Sequence, residues 1–365
     1  MENNISKKQT ILTGVKPTGI PHIGNYFGAI KPAIDASKTN SPLRQEGCPA
    51  GVGCVTNNNA AVESYLFIAD YHALTTVKNV DEMRLMTRQL ACTWLACGLD
   101  INNTVFYRQS DVPEIFEIAT ILSNTTAKGL LNRAHAYKAI TQASVDTAIN
   151  GTANPDENVN VGLYIYPILM AADILAFDTT LVPVGKDQKQ HIEIAGDIAR
   201  AFNAFFKTKG RDGTLTIPTA LIKEDVMTIP GLDGRKMSKS YGNQIPLFGT
   251  AKELEKKLKQ IVTDSSLPHE PKSTDMTIFE IYKLFATTEE LEVMRKKFAT
   301  GIGWGDVKGE LVRVAEREIA PMRERYNYYM ENFHEVEAIL ARGATNARLK
   351  AQEVLKRIRT AIGVG

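Results

Sequence analysis

The chain has 365 residues, of which 44% are hydrophobic and 23% charged, and its net charge of +2 excludes a basic coat protein for nucleic acid while allowing a local basic face. No apolar run reaches the roughly eighteen residues that a membrane-spanning helix needs, and the N-terminus lacks the apolar core of a signal peptide. A cytoplasmic protein without membrane contact, with a sizeable core in two packed units, is therefore expected.

Four short apolar runs are predicted to be strands of a parallel sheet that is covered on both faces, because they lack strict alternation. They are residues 9–13, 64–69, 104–107 and 181–184. The clearest helical pattern, 80–97, follows the second strand, with Asn79 as its cap and Gly98 as its stop. This alternation predicts an α/β fold, a Rossmann-like doubly wound parallel sheet.

The pattern changes near residue 245. Residues 1–244 are predicted to form the sheet domain, which two polar segments interrupt, at 37–62 and 141–160. Both segments are predicted to be exposed loops, and the sequence assigns no role to them. Residues 245–365 are predicted to form an all-helical domain whose last helix packs back on the first domain, with helical apolar periodicity clear from residue 250 onward.

The first candidate motif lies between the first strand and the next helix. Residues 13–25 contain glycines that allow close approach of a ligand, and His22-Ile23-Gly24-Asn25 begins the helix. The N–H groups and positive end of a helix start favour an anion. An ordinary strand–turn–helix with a capping histidine is the alternative, and this motif alone does not decide between them.

The second motif, Gly234-Arg235-Lys236-Met237-Ser238-Lys239-Ser240, follows about two hundred residues later. Two lysines on a loop can follow the negative charge that a departing pyrophosphate gains. A solvated basic loop is the alternative, although the preceding residues 230–234 favour a shaped turn.

Together the two motifs resemble the HIGH and KMSKS sequences of class I aminoacyl-tRNA synthetases, with Asn25 in the last position as in the tryptophan and tyrosine branch. Residues 67–75, 166–175 and 182–193 resemble the bacterial tryptophanyl-tRNA synthetase family within that branch. The resemblance implies a tryptophan–tRNA ligase. Such an enzyme activates L-tryptophan with ATP to tryptophanyl-adenylate and pyrophosphate, and then transfers tryptophan to the 3′-terminal ribose of tRNA(Trp).

The resemblance also implies roles for individual residues. Those implied in catalysis are His22, Asn25, Lys236 and Lys239. Those implied to contact ATP are Lys16, Pro17, Thr18, Gly24, Asn25, Gly185, Asp187, Gln188, Met237 and Ser238. Those implied to contact tryptophan are Leu12, Gly14, His72, Tyr166, Met170, Asp173, Ile174, Val182, Val184 and Gln188. Core packing is the alternative for His72 and for each apolar residue.

Three lysines are left without a firm role. Lys16 and Lys186 replace a glutamine and an acid that are common in the family, and Lys138 either faces the phosphates or is solvated.

Asp173 is singled out by its setting, before any resemblance. A carboxylate in an apolar helix must find a partner or lose its charge. It is either a salt-bridged structural acid or an acceptor for a ligand N–H, and an indole offers one such donor. The resemblance assigns it to the indole nitrogen, where an unpaired acceptor would disfavour phenylalanine.

The implied partners complete the prediction. ATP is expected with Mg²⁺ held mainly by phosphates and water, and no tightly bound protein metal is expected. The resemblance implies a homodimer with an interface at 112–131, and tRNA contacts from the helical part. Candidate phosphate contacts, with solvated side chains as the alternative, are Arg313, Arg317, Arg323 and Arg325. Tyrosyl-tRNA synthetase, a related adenylyltransferase and a non-catalytic RNA-binding relative remain as alternative functions.

Overall fold

The computed structural model describes residues 9–38, 62–146, 156, 159–206, 213–222 and 229–365. Most of each predicted polar segment lies outside these ranges. Where they are described, the edges of the two segments are regular: 37–38 end a helix, Val62 begins a strand, and 141–146 are helical. The prediction of a loop at 141–146 is therefore wrong, because this stretch contains neither glycine nor proline and the preceding helix continues through it.

Five parallel strands form one sheet in the order β3-β2-β1-β4-β5. The strands are β1 Gln9–Val15, β2 Val62–Ile68, β3 Thr104–Arg108, β4 Leu181–Val184 and β5 Thr219–Ile222. The four predicted strands are confirmed to within two residues at each end. β5 was not predicted; it is a four-residue edge strand that pairs with β4 alone, so its sequence needs no long apolar run.

Helices cover both faces of the sheet and make up the C-terminal part. They are α1 Ile23–Asn25, α2 Lys31–Lys38, α3 Asp70–Ala73, α4 Val80–Ala96, α5 Glu114–Ser123, α6 Lys128–Leu131, α7 His135–Asp146, α8 Val161–Leu175, α9 Lys189–Phe205, α10 Ala251–Lys259, α11 Thr277–Phe285, α12 Thr288–Thr300, α13 Trp304–Glu331 and α14 Phe333–Ile362. A π-helical turn, Tyr26–Ile30, joins α1 to α2. No helix of the described residues is long and apolar enough to cross a membrane.

The predicted signals at the ends of α4 are confirmed. The side chain of Asn79 accepts a hydrogen bond of 2.9 Å from the N–H of Glu82, and Gly98 follows the helix with a φ of +92°. Trp94 is fully buried on this helix, whereas Met86, nearer the start, is only half-buried. The apolar stripe is therefore deepest in the second half of the helix.

The C-terminal helices are tied to the sheet. Leu254 and Leu258 of α10 are buried in a cluster that also contains Ile23, so one hydrophobic core includes side chains from both sides of residue 245. Helix α14 lies against β3 so closely that a Cβ at Gly343 would stand 1.7 Å from the carbonyl oxygen of Phe106. The domain boundary at 244/245 stays a prediction.

The strand order determines where a ligand crevice forms. β1 lies between β2 and β4, so the chain order reverses at its edge with β4. In open parallel sheets ligands bind outside the carboxyl ends of the strands at such a switch point. The segments that follow β1, β2 and β4 therefore meet at one edge of the sheet, and they carry most of the predicted site residues.

Candidate active site

The first motif begins a helical run beyond the carboxyl end of β1. His22 is the N-cap: its Nδ1 accepts from the N–H of Asn25 at 3.3 Å, and the Asn25 side chain accepts from the N–H of His22 at 3.1 Å. Because Nδ1 is an acceptor, the neutral ring carries its proton on Nε2 and can donate from that atom. A Cβ at Gly24 would lie 2.9 Å from Nδ1, so this cap requires glycine there.

The two motifs meet in the folded chain. The N–H of Ile23 donates to the carbonyl of Ile245 at 3.0 Å. The Nζ of Lys239 donates to the carbonyl of Thr18 at 2.5 Å, just before the helix start. Burial lowers the pKa of Lys239, while burial and the charge of Lys239 both lower the pKa of His22. The helix start therefore combines a neutral histidine with a nearby ammonium group, an arrangement that suits an anion.

A residue that was not predicted from the sequence, Asn243, shapes the loop of the second motif. The buried side chain of Asn243 donates to the carboxylate of Asp233 at 2.7 Å and to the carbonyl of Lys236 at 3.2 Å, and accepts from the N–H of Ser238 at 2.9 Å. A Cβ at Gly231 would lie 2.3 Å from its amide nitrogen. The only sequence signal was an asparagine shortly after a basic loop.

Two neighbouring residues of the second motif differ in burial: Met237 is buried and Lys236 is exposed. Met237 is 4% exposed and belongs to the same core cluster as Ile23. Lys236 points to the surface, and the hydroxyls of Ser238 and Ser240 lie 2.7 Å apart. The loop is thus held by an apolar side chain on one side while its polar side chains lie outside.

Lys16 and Pro17 continue β1 toward the first motif. The Nζ of Lys16 donates to the hydroxyl of Thr75 at 3.1 Å, and burial lowers the pKa of this lysine. Pro17 is buried, whereas Gly14 lies against an aromatic side chain: a Cβ there would stand 2.5 Å from the ring of Phe67. The backbone at Gly14 and the ring of Phe67 therefore lie too close together for a larger side chain at residue 14.

Asp173 is 1% exposed and has two side-chain partners. The Nε2 of His72 lies 2.8 Å from Oδ2, and the amide of Gln109 donates to Oδ1 at 2.8 Å and to Oδ2 at 3.0 Å. Burial raises the pKa of Asp173, and the hydrogen bonds from His72 and Gln109 oppose that rise. Among the described residues, Asp173 is thus neither a lone carboxylate nor part of an Arg or Lys salt bridge. Gln109 was not predicted from the sequence.

The apolar residues predicted to line a ring pocket belong to one hydrophobic cluster. Leu12, Ile174 and Val182 are buried members of it, and Met170 and Val184 are partly buried against it. The structure therefore places all five in one cluster with Ala172, the chain neighbour of Asp173 on α8. Core packing accounts for the three buried residues, and the partly buried pair is accessible enough to contact a ligand.

A histidine connects Tyr166 and Gln188, two of the residues that the resemblance implies to contact tryptophan. The ring Nδ1 of His191 lies 2.8 Å from the side-chain oxygen of Gln188, and its Nε2 lies in hydrogen-bond contact with the hydroxyl of Tyr166. If Nδ1 donates to Gln188, Nε2 accepts the tyrosine proton, and the phenol oxygen keeps its lone pairs for a cationic group. His191 therefore links these two side chains.

The remaining predicted residues are exposed, only partly described, or engaged within the chain. Lys138 and Lys186 are exposed, Gly185 precedes a short turn, and the side chain of Asp187 is outside the described part. Within the described residues, no three His, Cys, Asp or Glu side chains are grouped to hold a metal ion. The four candidate arginines of α13 all have intramolecular partners, which are Glu290 for Arg313 and Arg317, Glu316 for Arg323, and the carbonyl of Ala96 for Arg325.

The sequence and the fold are similar to those of known proteins. Residues 4–320 match the family described as tRNA synthetases class I (W and Y). A tryptophan–tRNA ligase of Neisseria meningitidis is 46% identical over 358 residues, which are 98% of this chain and 98% of the relative. One of Bordetella parapertussis is 46% identical over 357 residues, 97% of this chain and 73% of the relative. The crystal structure of Campylobacter jejuni tryptophanyl-tRNA synthetase complexed with ADP and tryptophan superposes with a TM-score of 0.81 at 38% identity, covering 98% of this chain and 100% of that one.

Proposed function

Because the chain belongs to the class I tRNA synthetases of the tryptophan and tyrosine family, we propose that it is a tryptophan–tRNA ligase. It joins the carboxylate of L-tryptophan to the α-phosphate of ATP with release of pyrophosphate, and then transfers the tryptophanyl group to tRNA(Trp). The tyrosyl and non-catalytic alternatives are not favoured by these relatives.

One observation carries the choice of tryptophan. Asp173 is a buried hydrogen-bond acceptor beside an apolar cluster, and His72 and Gln109 fix its carboxylate. An indole ring matches this site because it is apolar except for one N–H donor. A phenylalanine ring has no such donor and would leave the acceptor unpaired, which is a large penalty in a buried site.

The first step requires positioning and charge stabilisation rather than a protein nucleophile. The tryptophan carboxylate oxygen attacks the α-phosphorus, and the bond to the pyrophosphate leaving group breaks. His22 and Asn25 hold phosphate oxygens at the helix start, and Lys236 and Lys239 stabilise the charge that develops on pyrophosphate. Mg²⁺ accompanies ATP, bound mainly through phosphate oxygens and water.

The same proposal covers the transfer to tRNA, the part of the chain that contacts the tRNA, and the cellular location of the enzyme. The terminal ribose of the tRNA attacks the tryptophanyl carbonyl, and AMP leaves. The helical part, 245–365, contacts the anticodon region, where single-stranded loops are read by stacking and base-edge contacts. The enzyme acts in the cytoplasm.

Charging of a tRNA(Trp) transcript tests the complete function. With ATP, Mg²⁺ and radiolabelled tryptophan, the enzyme is expected to label tRNA(Trp) and to leave a tRNA(Tyr) transcript unlabelled. Labelling of tRNA(Tyr) with tyrosine would contradict the proposal, and so would adenylate formation without any transfer to tRNA(Trp).

Asn243→Ala is expected to lower kcat for tryptophan activation by about tenfold, because it removes the side chain that pairs the carbonyl of Lys236 and the N–H of Ser238 in the lysine loop. The KM for tryptophan should stay within about twofold, since Asp173 belongs to a separate network. Steady-state kinetics of adenylate formation measure both. Asn332→Ala is the matched control, because its amide also donates to a backbone carbonyl, that of Tyr328 at 2.9 Å. A rise in the KM for tryptophan with kcat unchanged would contradict this role.

The homodimer is proposed to form across α5, in the predicted span 112–131, together with the neighbouring surface of α8 and the residues after α3. A groove of about 500 Å³ lies here, lined by Phe116, Leu74 and Ile165, and the last two are 46% and 43% exposed. Ile165→Glu should raise the dimer dissociation constant by about 100-fold or more, because association would bury an unpaired charge. Light scattering after size exclusion measures the state, with Val293→Glu as a control at another exposed apolar residue. A monomeric wild type, or a variant that stays dimeric, would refute this interface.

A further inference from the structure

Gln109 is a fully buried glutamine directly after β3, at the start of the 3₁₀ turn Gln109–Asp111. Its amide nitrogen donates to both carboxylate oxygens of Asp173, at 2.8 and 3.0 Å. Its amide oxygen is buried and has no hydrogen-bond partner within the described structure. A buried amide oxygen without a partner destabilises a fold. Stability alone therefore does not explain a glutamine here, whereas a need for its N–H donor does.

The backbone that carries Gln109 is fixed on both sides. The hydroxyl of Ser110 donates to the Asp70 carboxylate at 2.5 Å and its N–H donates to the same group at 3.1 Å. Asp70 is the first residue of α3, which also carries His72. The two donors to Asp173 thus come from two segments that are joined by a hydrogen-bonded carboxylate. Hydrogen bonds behind the residues that contact Asp173 hold its carboxylate in a defined orientation.

The contacts also restrict how Asp173 can meet a ligand. An ionised carboxylate offers about four lone-pair directions. Gln109 and His72 occupy two of them on Oδ2, and Gln109 occupies one on Oδ1. The remaining direction is on Oδ1. Donors on both oxygens also favour the ionised carboxylate, which accepts hydrogen bonds, over the protonated one, which would donate.

We propose that Gln109 is a positioning residue for amino-acid selection, which holds the Asp173 carboxylate ionised and turned so that Oδ1 accepts the indole N–H. This inference rests on the proposed tryptophan–tRNA ligase function. It assigns to Gln109 a role that acts through Asp173 rather than by contact with substrate. Loss of Gln109 should therefore matter only for substrates that carry the N–H.

The test compares two amino acids in adenylate formation by the full-length enzyme. Benzothienylalanine keeps the shape of tryptophan but has sulfur in place of the indole N–H. Gln109→Met keeps the side-chain length without a donor, and should lower kcat/KM for tryptophan by about 10- to 100-fold, the usual effect of losing a hydrogen bond to a charged group. For benzothienylalanine the decrease should be less than about threefold, because that substrate makes no hydrogen bond to Asp173.

Controls separate this role from a merely structural one. Gln352→Met removes a similar amide-to-carboxylate hydrogen bond, to Glu114 at 2.7 Å rather than to Asp173, and should leave the ratio of the two substrates unchanged. If Gln109→Met does not fold, Gln109→Asn keeps a polar group but is too short to reach, and the same selective decrease is expected. In an Asp173→Ala background, neither Gln109 variant should lower kcat/KM further.

Each result is decisive. A wild-type enzyme that fails to activate tryptophan refutes the proposed function itself. If the wild type is active and a folded Gln109 variant loses both substrates equally, or loses neither, the positioning role is refuted. A change in the KM for ATP larger than the change for tryptophan would also refute it.

Discussion

Lys239→Ala is expected to lower kcat for tryptophan activation by about 100- to 1,000-fold, the usual cost of removing one group that stabilises developing charge. The Nζ of Lys239 already reaches the carbonyl of Thr18 beside the first motif, at 2.5 Å. As the bond to pyrophosphate breaks, negative charge moves to the leaving group, and the ammonium gains more there than it had in the ground state. The KM for ATP should therefore change by less than about threefold.

Pre-steady-state measurement of adenylate formation gives the rate of the chemical step and the affinity for ATP separately. Lys252→Ala, at an exposed lysine of α10, is the control for a general loss of positive charge. Lys239→Arg should recover part of the rate, because it keeps the charge but not the shape of the ammonium. A variant with weakened ATP binding and an unchanged chemical step would show that Lys239 acts in the ground state.

Asp173→Ala is expected to lower kcat/KM for tryptophan by about 100- to 1,000-fold and to leave the KM for ATP within about threefold. The substitution removes the acceptor and leaves the donor groups of His72 and Gln109 facing an apolar cavity. The preference for tryptophan over phenylalanine should decrease with it, since a phenyl ring never used the acceptor. Competition between the two amino acids in adenylate formation measures this preference.

Asp173→Asn is measured beside Asp173→Ala because it keeps the size of the side chain while it removes the charge. The oxygen of the asparagine amide can still accept from the indole N–H. The NH₂ group of that amide then faces the NH₂ group of Gln109, and two donors cannot hydrogen-bond to each other. An intermediate loss is expected. If ATP affinity fell while the preference for tryptophan was unchanged, Asp173 would not have the assigned role.

The features that could be predicted from sequence are those encoded locally. Strands β1 to β4 were recognisable as short apolar runs, and α4 by the cap at Asn79 and the stop at Gly98. Asp173 was recognisable because a carboxylate inside an apolar helix is costly without a partner. β5 is as long as β4 but escaped recognition because it is an edge strand in which only Leu221 is buried, so it needs no apolar run.

The features that could not be predicted depend on contacts between distant segments. Gln109 follows β3 without any motif, and its donor role exists only because the end of β3 meets α8. Asn243 likewise depends on the path of a loop, whose carbonyl and N–H groups it pairs. His191 was visible as a helix residue, but its link between Tyr166 and Gln188 requires the packing of α9 on α8.

Amino-acid-dependent exchange of labelled pyrophosphate into ATP tests the central claim most directly, because it reports adenylate formation without tRNA. With the wild-type enzyme and saturating ATP and Mg²⁺, tryptophan should support exchange, and tyrosine and phenylalanine at the same concentration should not. Exchange with tyrosine in place of tryptophan, or no exchange with any amino acid by a folded protein, would contradict the account.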